Sequence, residues 1–110
     1  MTGALRAAAG AFLVVGTGFL TGCSFSAGRG QELFDLHCAE CHETANPELK
    51  KQPPKLVGLF HSKTLPSGAP ATDEQVRKTI IEGLRTMPAF QGRISDADVH
   101  DLIAYLHTLK

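Results

Sequence analysis

Two cysteines separated by two residues, with a histidine directly after the second, constrain this chain more than any other feature. They lie in the run Cys38-Ala39-Glu40-Cys41-His42. On one turn of helix both thiols point the same way, so both can bond to one edge of a porphyrin while the adjacent imidazole reaches its iron. This spacing is typical of covalent haem attachment. The motif therefore predicts one covalently bound haem, attached through Cys38 and Cys41, with His42 as an iron ligand.

Two other kinds of site use the same residue types. A thioredoxin-like dithiol would follow a strand in a βαβ unit, whereas the residues before Cys38 have a helical pattern. A structural zinc site would need a second ligand pair, and the sequence has no other Cys-x-x-Cys motif to supply it. Both alternatives fit less well than haem.

The first 22 residues have the pattern of an export signal. Arg6 supplies a positive charge, and an uncharged, apolar run of 14 residues extends from Ala7 to Leu20. Such a run is short for a membrane-spanning helix, which takes about 20 residues. Leu20-Thr21-Gly22-Cys23 resembles the lipobox of bacterial lipoproteins, in which the leader is removed and the cysteine is acylated. We predict cleavage after residue 22 and lipid on Cys23; the alternative is an uncleaved anchor.

The remaining chain is small and almost neutral. Residues 23–28 are predicted to be the lipidated N-terminus and a short linker, and residues 29–110 to be one domain. Without Arg6 the chain has ten Lys and Arg against eleven Asp and Glu, so nucleic acid is not an expected partner. A domain of this size without tryptophan has a modest core, which a buried porphyrin would enlarge.

A helix is predicted from Arg29 to Cys41. Its pattern places Leu33, Phe34 and Leu36 on one side. Gly30 is unexpected there, because glycine inside a helix costs about 1 kcal/mol relative to alanine. Either another backbone comes close to Gly30, or this glycine belongs to the end of the linker.

Two further helices are predicted after position 70. Thr72 and Gln75 form a capping box at the start of the first, and Gly83 is its expected end. Ser95 and Asp98 cap the second. The predicted core positions are Val76, Ile80 and Leu84 in one helix, and Val99, Leu102, Ile103, Leu106 and Leu109 in the other.

Thr44 to Pro70 is predicted to be a long irregular loop. It contains five of the six prolines and no sustained periodicity. A loop of this length in a small domain indicates that a cofactor organises it. Its apolar residues, Leu56, Val57, Leu59 and Phe60, are expected to lie against the haem edge.

A short loop, Thr86-Met87-Pro88-Ala89-Phe90, separates the last two helices. Met87 is predicted to be non-helical, because the residue before a proline is pushed to an extended geometry. A thioether on such a loop is suited to be a second axial ligand, and an ordinary core methionine is the alternative. His100 and His107 flank the apolar side of the last helix and are expected at its solvated edge.

The chain after the leader resembles the class I, mitochondrial-type cytochromes c. In that family a glycine and a phenylalanine before the haem cysteines lie where the first and last helices cross, and here they are Gly30 and Phe34. Their partners, a leucine and a tyrosine, match Leu102 and Tyr105. The resemblance implies an all-α fold with three main helices and long irregular loops around one haem c.

The resemblance also implies roles around the iron. The family's Gly-Pro-x-Leu-x-Gly loop matches residues 53–58, so the Pro54 carbonyl would accept the proton on the far nitrogen of His42. Met87 stands in the family's bacterial methionine loop. His42 and Met87 are therefore the implied axial ligands.

Two departures from the family affect the haem propionates. Pro53 replaces a glycine, and His61 and Ser62 stand where Gly-Arg often occurs. The family's propionate contacts therefore do not carry over. Ser62, Lys63 and Thr64 are candidates by position only.

The resemblance implies single-electron transfer without catalysis. Iron bound by both His42 and Met87 has no open position for a substrate. We expect a monomeric carrier, anchored in the cell envelope through lipid, that faces the periplasm or cell exterior and serves mainly membrane-bound redox partners. One alternative is an electron-transfer subunit of a membrane-associated oxidase or periplasmic dehydrogenase. Another is a gas-binding or sensory haem that Met87 does not ligate, with His61, His100 or His107 bound instead or an open site.

Overall fold

A computed structural model of the chain describes residues 26–110 and, before them, residues 3, 10–13, 15, 16 and 18. The helices are α1 (Ala27–His37), α2 (Ala39–His42), α3 (Asp73–Glu82) and α4 (Asp96–Leu106), with a 3-10 turn at Leu59–His61. No strand occurs within the described residues, which confirms the predicted all-α fold with three main helices. Most of the predicted leader, and Cys23, lie outside the described residues.

Helix α1 begins earlier than the sequence pattern indicates. Ser26 is its N-cap: the Ser26 hydroxyl accepts a hydrogen bond of 3.1 Å from the Arg29 N–H. The Ser26 N–H in turn donates to Asp101 Oδ1 at 2.7 Å. These bonds satisfy backbone N–H groups at the start of α1 and offset the helix-propensity cost of Gly28 in its first turn. Ala27 and Gly28, which were predicted as linker, are therefore the first helical residues.

Helices α1 and α4 cross at Gly30. A Cβ atom on Gly30 would lie against the Asp101 backbone, 2.6 Å from its carbonyl carbon, and 2.8 Å from the Cβ of Tyr105. Only a hydrogen atom fits in this space, so Gly30 marks the predicted close approach of another backbone. Gly30 lies inside α1 and not in the linker. The rings of Phe34 and Tyr105 lie 5.3 Å apart nearby, and Leu102 is buried in the same core.

The core is formed by α1, α3 and α4 together with two loop residues. Its buried side chains are Leu33, Phe34, Leu65, Val76, Ile80, Phe90, Val99, Leu102, Ile103 and Leu106. Two core predictions were wrong. Leu36 is 73% exposed, because about 100° of rotation per residue places it on the far side of α1 from Phe34. Leu84 is 44% exposed, because α3 has already ended before it.

The N-termini of α3 and α4 are capped by the predicted residues. The Thr72 hydroxyl accepts from the Gln75 N–H at 3.3 Å, which is half of the predicted box among the described residues. Ser95 and Asp98 form the complete reciprocal box, with bonds of 3.1 and 3.2 Å. The hydrogen bond from the Ser95 N–H, aided by nearby Arg29, holds the pKa of Asp98 below its ordinary value.

The loop between α2 and α3 is tied to the residues that follow α4. The Gly58 N–H donates to the Leu109 carbonyl at 3.0 Å. The Phe60 ring stacks on the His107 ring with centroids 3.8 Å apart, and His107 Nε2 lies 2.6 Å from Asp73 Oδ1. His107 thus lies at the edge of the core, as predicted, and joins three segments that are distant in the sequence.

Candidate haem-binding site

Cys38 separates α1 from α2. Its N–H completes α1 by donating to the Phe34 carbonyl at 2.8 Å. Its own carbonyl then accepts from the N–H groups of Cys41 and His42, at 3.2 and 2.9 Å. The helix predicted to run through to Cys41 is therefore broken at Cys38, and α2 is a separate turn. The break places Cys41 and His42 on a single tight turn that begins at Cys38.

The two thiols of this turn are free and differ in environment. Cys38 is half-buried and Cys41 is exposed. Burial raises the pKa of the Cys38 thiol to about 11, and the nearby Cys41 thiol acts in the same direction. The thiols are thus close enough to influence each other electrostatically. Two free neighbouring thiols at the edge of an apolar core fit attachment of a porphyrin.

The imidazole of His42 is oriented by a backbone carbonyl. His42 Nδ1 lies 2.8 Å from the carbonyl oxygen of Pro54. A carbonyl can only accept a hydrogen bond, so Nδ1 carries the proton and Nε2 is left with a lone pair for a metal. Lys55 Nζ also donates to the Glu43 carbonyl at 2.8 Å, which closes the chain between positions 43 and 55 beside His42. Metal-binding histidines typically donate their other ring N–H to an acceptor such as the Pro54 carbonyl.

Met87 lies in a tight turn that follows α3. The N–H and carbonyl groups of Met87 and Leu84 bond to each other, at 2.9 and 3.1 Å. Arg85, inside this turn, has a positive φ of 55°. The turn packs directly on Gly83, where a Cβ atom would lie 2.6 Å from the Met87 carbonyl oxygen and 2.8 Å from the Ala89 nitrogen. Gly83 therefore ends α3, as predicted, and also allows the methionine loop to approach.

Phe90 fixes the far end of the methionine loop. Its N–H donates to the Ile80 carbonyl at 3.0 Å, and its side chain is buried. The His37 ring meets the Phe90 ring edge-on at 6.0 Å, and the Arg93 guanidinium lies 4.9 Å from the Phe90 centroid. The loop is thus fastened to α3 and contacts the end of α1 that precedes Cys38.

The residues predicted to surround a haem pack against one core. Cys38, Met87, Leu56, Leu59 and Phe60 are all partly buried there. Val57 does not join them and is 63% exposed. The oriented imidazole and the half-buried thioether are suitable iron ligands, and the apolar loop residues are a suitable lining for a porphyrin. Together these residues fit a haem.

A cavity of about 310 Å³ opens beside the loop that carries Pro54. Ser62 and Thr64, two of the three propionate candidates, contribute to its lining together with Lys55. Lys63 is not part of that lining. The hydroxyl and ammonium groups here are suited to bind an anionic group.

Comparison with known proteins gives the family of the chain. Residues 26–106 match the family model described as "Cytochrome C oxidase, cbb3-type, subunit III". The match begins at the N-cap of α1 and ends at the last residue of α4. It therefore covers the whole helical core.

Several characterised relatives share this region. A cytochrome c6 from Picosynechococcus sp. is 33% identical over 84 residues, covering 73% of this chain and 70% of the relative. A cytochrome c from Dictyostelium discoideum is 33% identical, covering 70% and 85%. A cytochrome bc1 complex cytochrome c subunit from Mycobacterium bovis is 35% identical over 80 residues, or 72% of this chain. This chain matches only 26% of that longer subunit.

A solved structure supports the same conclusion. Cytochrome c6 from the diatom Phaeodactylum tricornutum superimposes with a TM-score of 0.55 at 26% identity, covering 76% of this chain and 92% of the diatom protein. The fold and the Cys-x-x-Cys-His turn define a class I, single-haem c-type cytochrome. The chain belongs to the cytochrome c family, in the group described by the cbb3-type subunit III model.

Members of this family carry one covalently attached haem c and transfer electrons, and they are not enzymes. The predictions of the family, the fold, the cofactor and the absence of catalysis are thereby confirmed.

Proposed function

We propose that this cytochrome is a lipid-anchored carrier of single electrons with one His/Met-ligated haem. Cys38 and Cys41 would hold the haem covalently, and His42 and Met87 would supply the two iron ligands. Acylated Cys23 would attach the domain to a membrane, with the haem domain in the periplasm or at the cell exterior.

The observation that carries this proposal is the contact between His42 and Pro54. At 2.8 Å it fixes the imidazole proton on Nδ1 and directs Nε2 away from the loop. A bound haem supplies an iron that gains and loses one electron. The chain's own residues hold the imidazole in one tautomer, bring in a thioether and exclude water with the apolar loop residues.

Methionine ligation is supported by the way the loop is held. Gly83 and the paired backbone of Leu84 keep Met87 half-buried against the core. An unpacked methionine side chain has many conformations, and this packing reduces their number. A thioether ligand favours ferrous iron and raises the reduction potential. No other side chain of this short loop is a donor that binds iron well.

The test of this assignment is the Met87→Ala variant. We expect it to retain covalent haem, because both thioether bonds survive, while its reduction potential falls and its ferrous iron binds carbon monoxide at neutral pH. A haem stain, a redox titration and a visible spectrum measure the three effects. Thr86→Ala, an exposed change in the same loop, is the control and should behave as wild type.

An unchanged potential in Met87→Ala would remove Met87 from the proposal. Carbon monoxide binding by the unaltered protein would instead favour an open, gas-binding haem. Among the histidines weighed as replacement ligands, His107 is already bonded to Asp73, and His61 lies exposed at the end of the 3-10 turn.

A second candidate is an electron-transfer subunit of a larger redox complex. The family model is named for an oxidase subunit, and several relatives are bc1 complex subunits. Purification separates the candidates. A monomer that passes electrons between separately purified partners supports the carrier, and activity confined to a stable membrane complex supports the subunit.

Lipid anchoring rests on the sequence around Cys23, which lies outside the described residues. No helix in the described part of the chain is long and apolar enough to span a membrane. The intact mass of the mature protein tests the proposal, because acylation of Cys23 adds several fatty acyl chains.

A further inference from the structure

The anchored end of the domain has little freedom to turn. Ser26 is held by three hydrogen bonds: its N–H to Asp101, its hydroxyl from Arg29, and its carbonyl from the Gly30 N–H at 2.8 Å. Only two residues lie between Cys23 and Ser26 in the sequence. Three residue steps of at most about 3.6 Å limit the Cys23 to Ser26 distance to about 11 Å.

The haem-binding turn lies at the other end of the same helix. Helix α1 has 11 residues between Ser26 and Cys38. At 1.5 Å per residue it is about 16 Å long. Its first turn is fixed to α4 through Asp101 and the close contact at Gly30, and its second half is fixed through the packing of Phe34 on Tyr105. The direction from Ser26 to Cys38 is therefore a rigid property of the domain.

We propose that the lipid surface lies against the N-terminal end of α1 and the adjoining α4 residues Asp98 and Asp101. In this orientation Cys38, Cys41 and His42 point away from the bilayer. This orientation rests on the proposed acylation of Cys23. It predicts that electrons are exchanged with the part of a partner that projects into the aqueous phase, and not at the level of the lipid headgroups.

The charges of this end also suit contact with headgroups that carry no net charge. Asp98 and Glu32 each lie within 3.7 Å of Arg29, Asp96 lies 2.6 Å from Arg77, and Asp101 accepts from the Ser26 N–H. Two arginines against four carboxylates leave a net negative charge, which anionic headgroups would repel and zwitterionic headgroups would not. We therefore commit to a zwitterionic lipid surface as the occupant.

Single added cysteines test the orientation. In the acylated holoprotein the three native cysteines are occupied by lipid and haem, so one new thiol reacts alone. Gly28→Cys places it in the first turn of α1, where a Cβ meets only the Ser26 hydroxyl at 3.6 Å. Leu36→Cys places it at an exposed position near the other end. The two sites are about 12 Å apart along the helix.

Each variant is placed in phosphatidylcholine vesicles that contain a small fraction of lipid with a maleimide on its headgroup. We expect cross-linking of Gly28→Cys to be severalfold faster than that of Leu36→Cys, after each rate is divided by that for a soluble maleimide. Inserting ten Gly and Ser residues between Ser24 and Phe25 should abolish this difference, because the domain can then tumble.

Equal rates with the native linker would overturn the orientation, and so would faster reaction of Leu36→Cys. Failure of the underlying proposal looks different. If Cys23 is not acylated, the intact mass lacks the acyl chains, soluble maleimide labels Cys23, and neither variant stays with the vesicles.

Discussion

Arg85 has a backbone conformation that arginine rarely adopts. Its φ of 55° lies in the left-handed region, within the turn that pairs Leu84 with Met87. A side chain with a Cβ costs about 1–2 kcal/mol there. The paired backbone on both sides, and the packing of the loop on Gly83, keep the chain in this conformation. The turn that presents Met87 is therefore strained.

Replacing Arg85 with glycine should stabilise the protein. Glycine adopts positive φ freely but loses more entropy on folding, so we expect a net gain of about 0.5–1 kcal/mol. Thermal or denaturant unfolding of the holoprotein measures it. Arg85→Ala removes the same charge and keeps the Cβ, so it should show no such gain. Equal gains in both variants would attribute the effect to charge and not to backbone strain.

Gly83, which directly follows α3, and the methionine loop are packed backbone to backbone. Gly83→Ala places a methyl group 2.6 Å from the Met87 carbonyl oxygen, so the loop must move. We expect a loss of about 1–3 kcal/mol in unfolding free energy and weaker methionine ligation, seen as ferrous carbon monoxide binding and a lower potential.

Gly92 provides the matched control for this change. It has nearly the same φ, 76° against 75° at Gly83, but a Cβ there meets nothing within 4 Å. Gly92→Ala should lose stability from backbone strain alone and keep its ligand spectrum. A normal spectrum in Gly83→Ala would show that this contact does not position Met87.

The crossing of α1 and α4 depends on the missing side chain at Gly30. In Gly30→Ala the added methyl group meets the Asp101 backbone, which cannot move without displacing α4. We expect a cost of about 1–3 kcal/mol or more, measured by denaturant unfolding. Gly28→Ala lies in the same helix with only ordinary contacts and should be neutral or slightly stabilising. Similar costs in the two variants would mean that helix propensity, and not the crossing, explains Gly30.

The sequence predicted those elements whose signals are local. The Thr72 and Ser95 caps, the stop at Gly83 and the stripe along α4 all follow from residues within one or two turns. Leu36 was misplaced because three apolar residues so close together cannot all share one face of a helix.

Features made by distant residues could not be predicted in this way. The bond from Ser26 to Asp101 joins residues 75 positions apart, and no local pattern indicates it. The strained φ at Arg85 and the second role of Gly83 arise within one short segment, but an arginine at positive φ departs from the usual residue preference, so no sequence pattern indicates it. His42 and Pro54 were matched only because a family resemblance supplied their pairing; their contact is present at 2.8 Å.

At the scale of the whole molecule, membrane attachment should depend on one residue. A Cys23→Ser protein exported with a cleavable soluble leader should be red, folded and released from membranes, because the residues proposed to hold haem are unchanged. At equal abundance it should support slower electron flow to a membrane partner in cells, since its effective concentration at the membrane falls. Fractionation, a haem stain and respiration assays measure these effects.

Retention of the Cys23→Ser protein on membranes after a high-salt wash would contradict this prediction. Contacts with another protein would then hold it, and the subunit of a redox complex would become the better description.

The pairing of the first and last helices also sets the order in which the domain can assemble. Phe34 packs on Tyr105, which lies in α4 and therefore follows α2, the long loop and α3 in the sequence. A chain that is synthesised from its N-terminus therefore lacks the helix that packs on α1 until α4 has appeared. We expect Cys38 and Cys41 to stay open to solvent throughout this interval. The topology thus leaves time for a haem to be joined to both thiols before the core closes over Cys38.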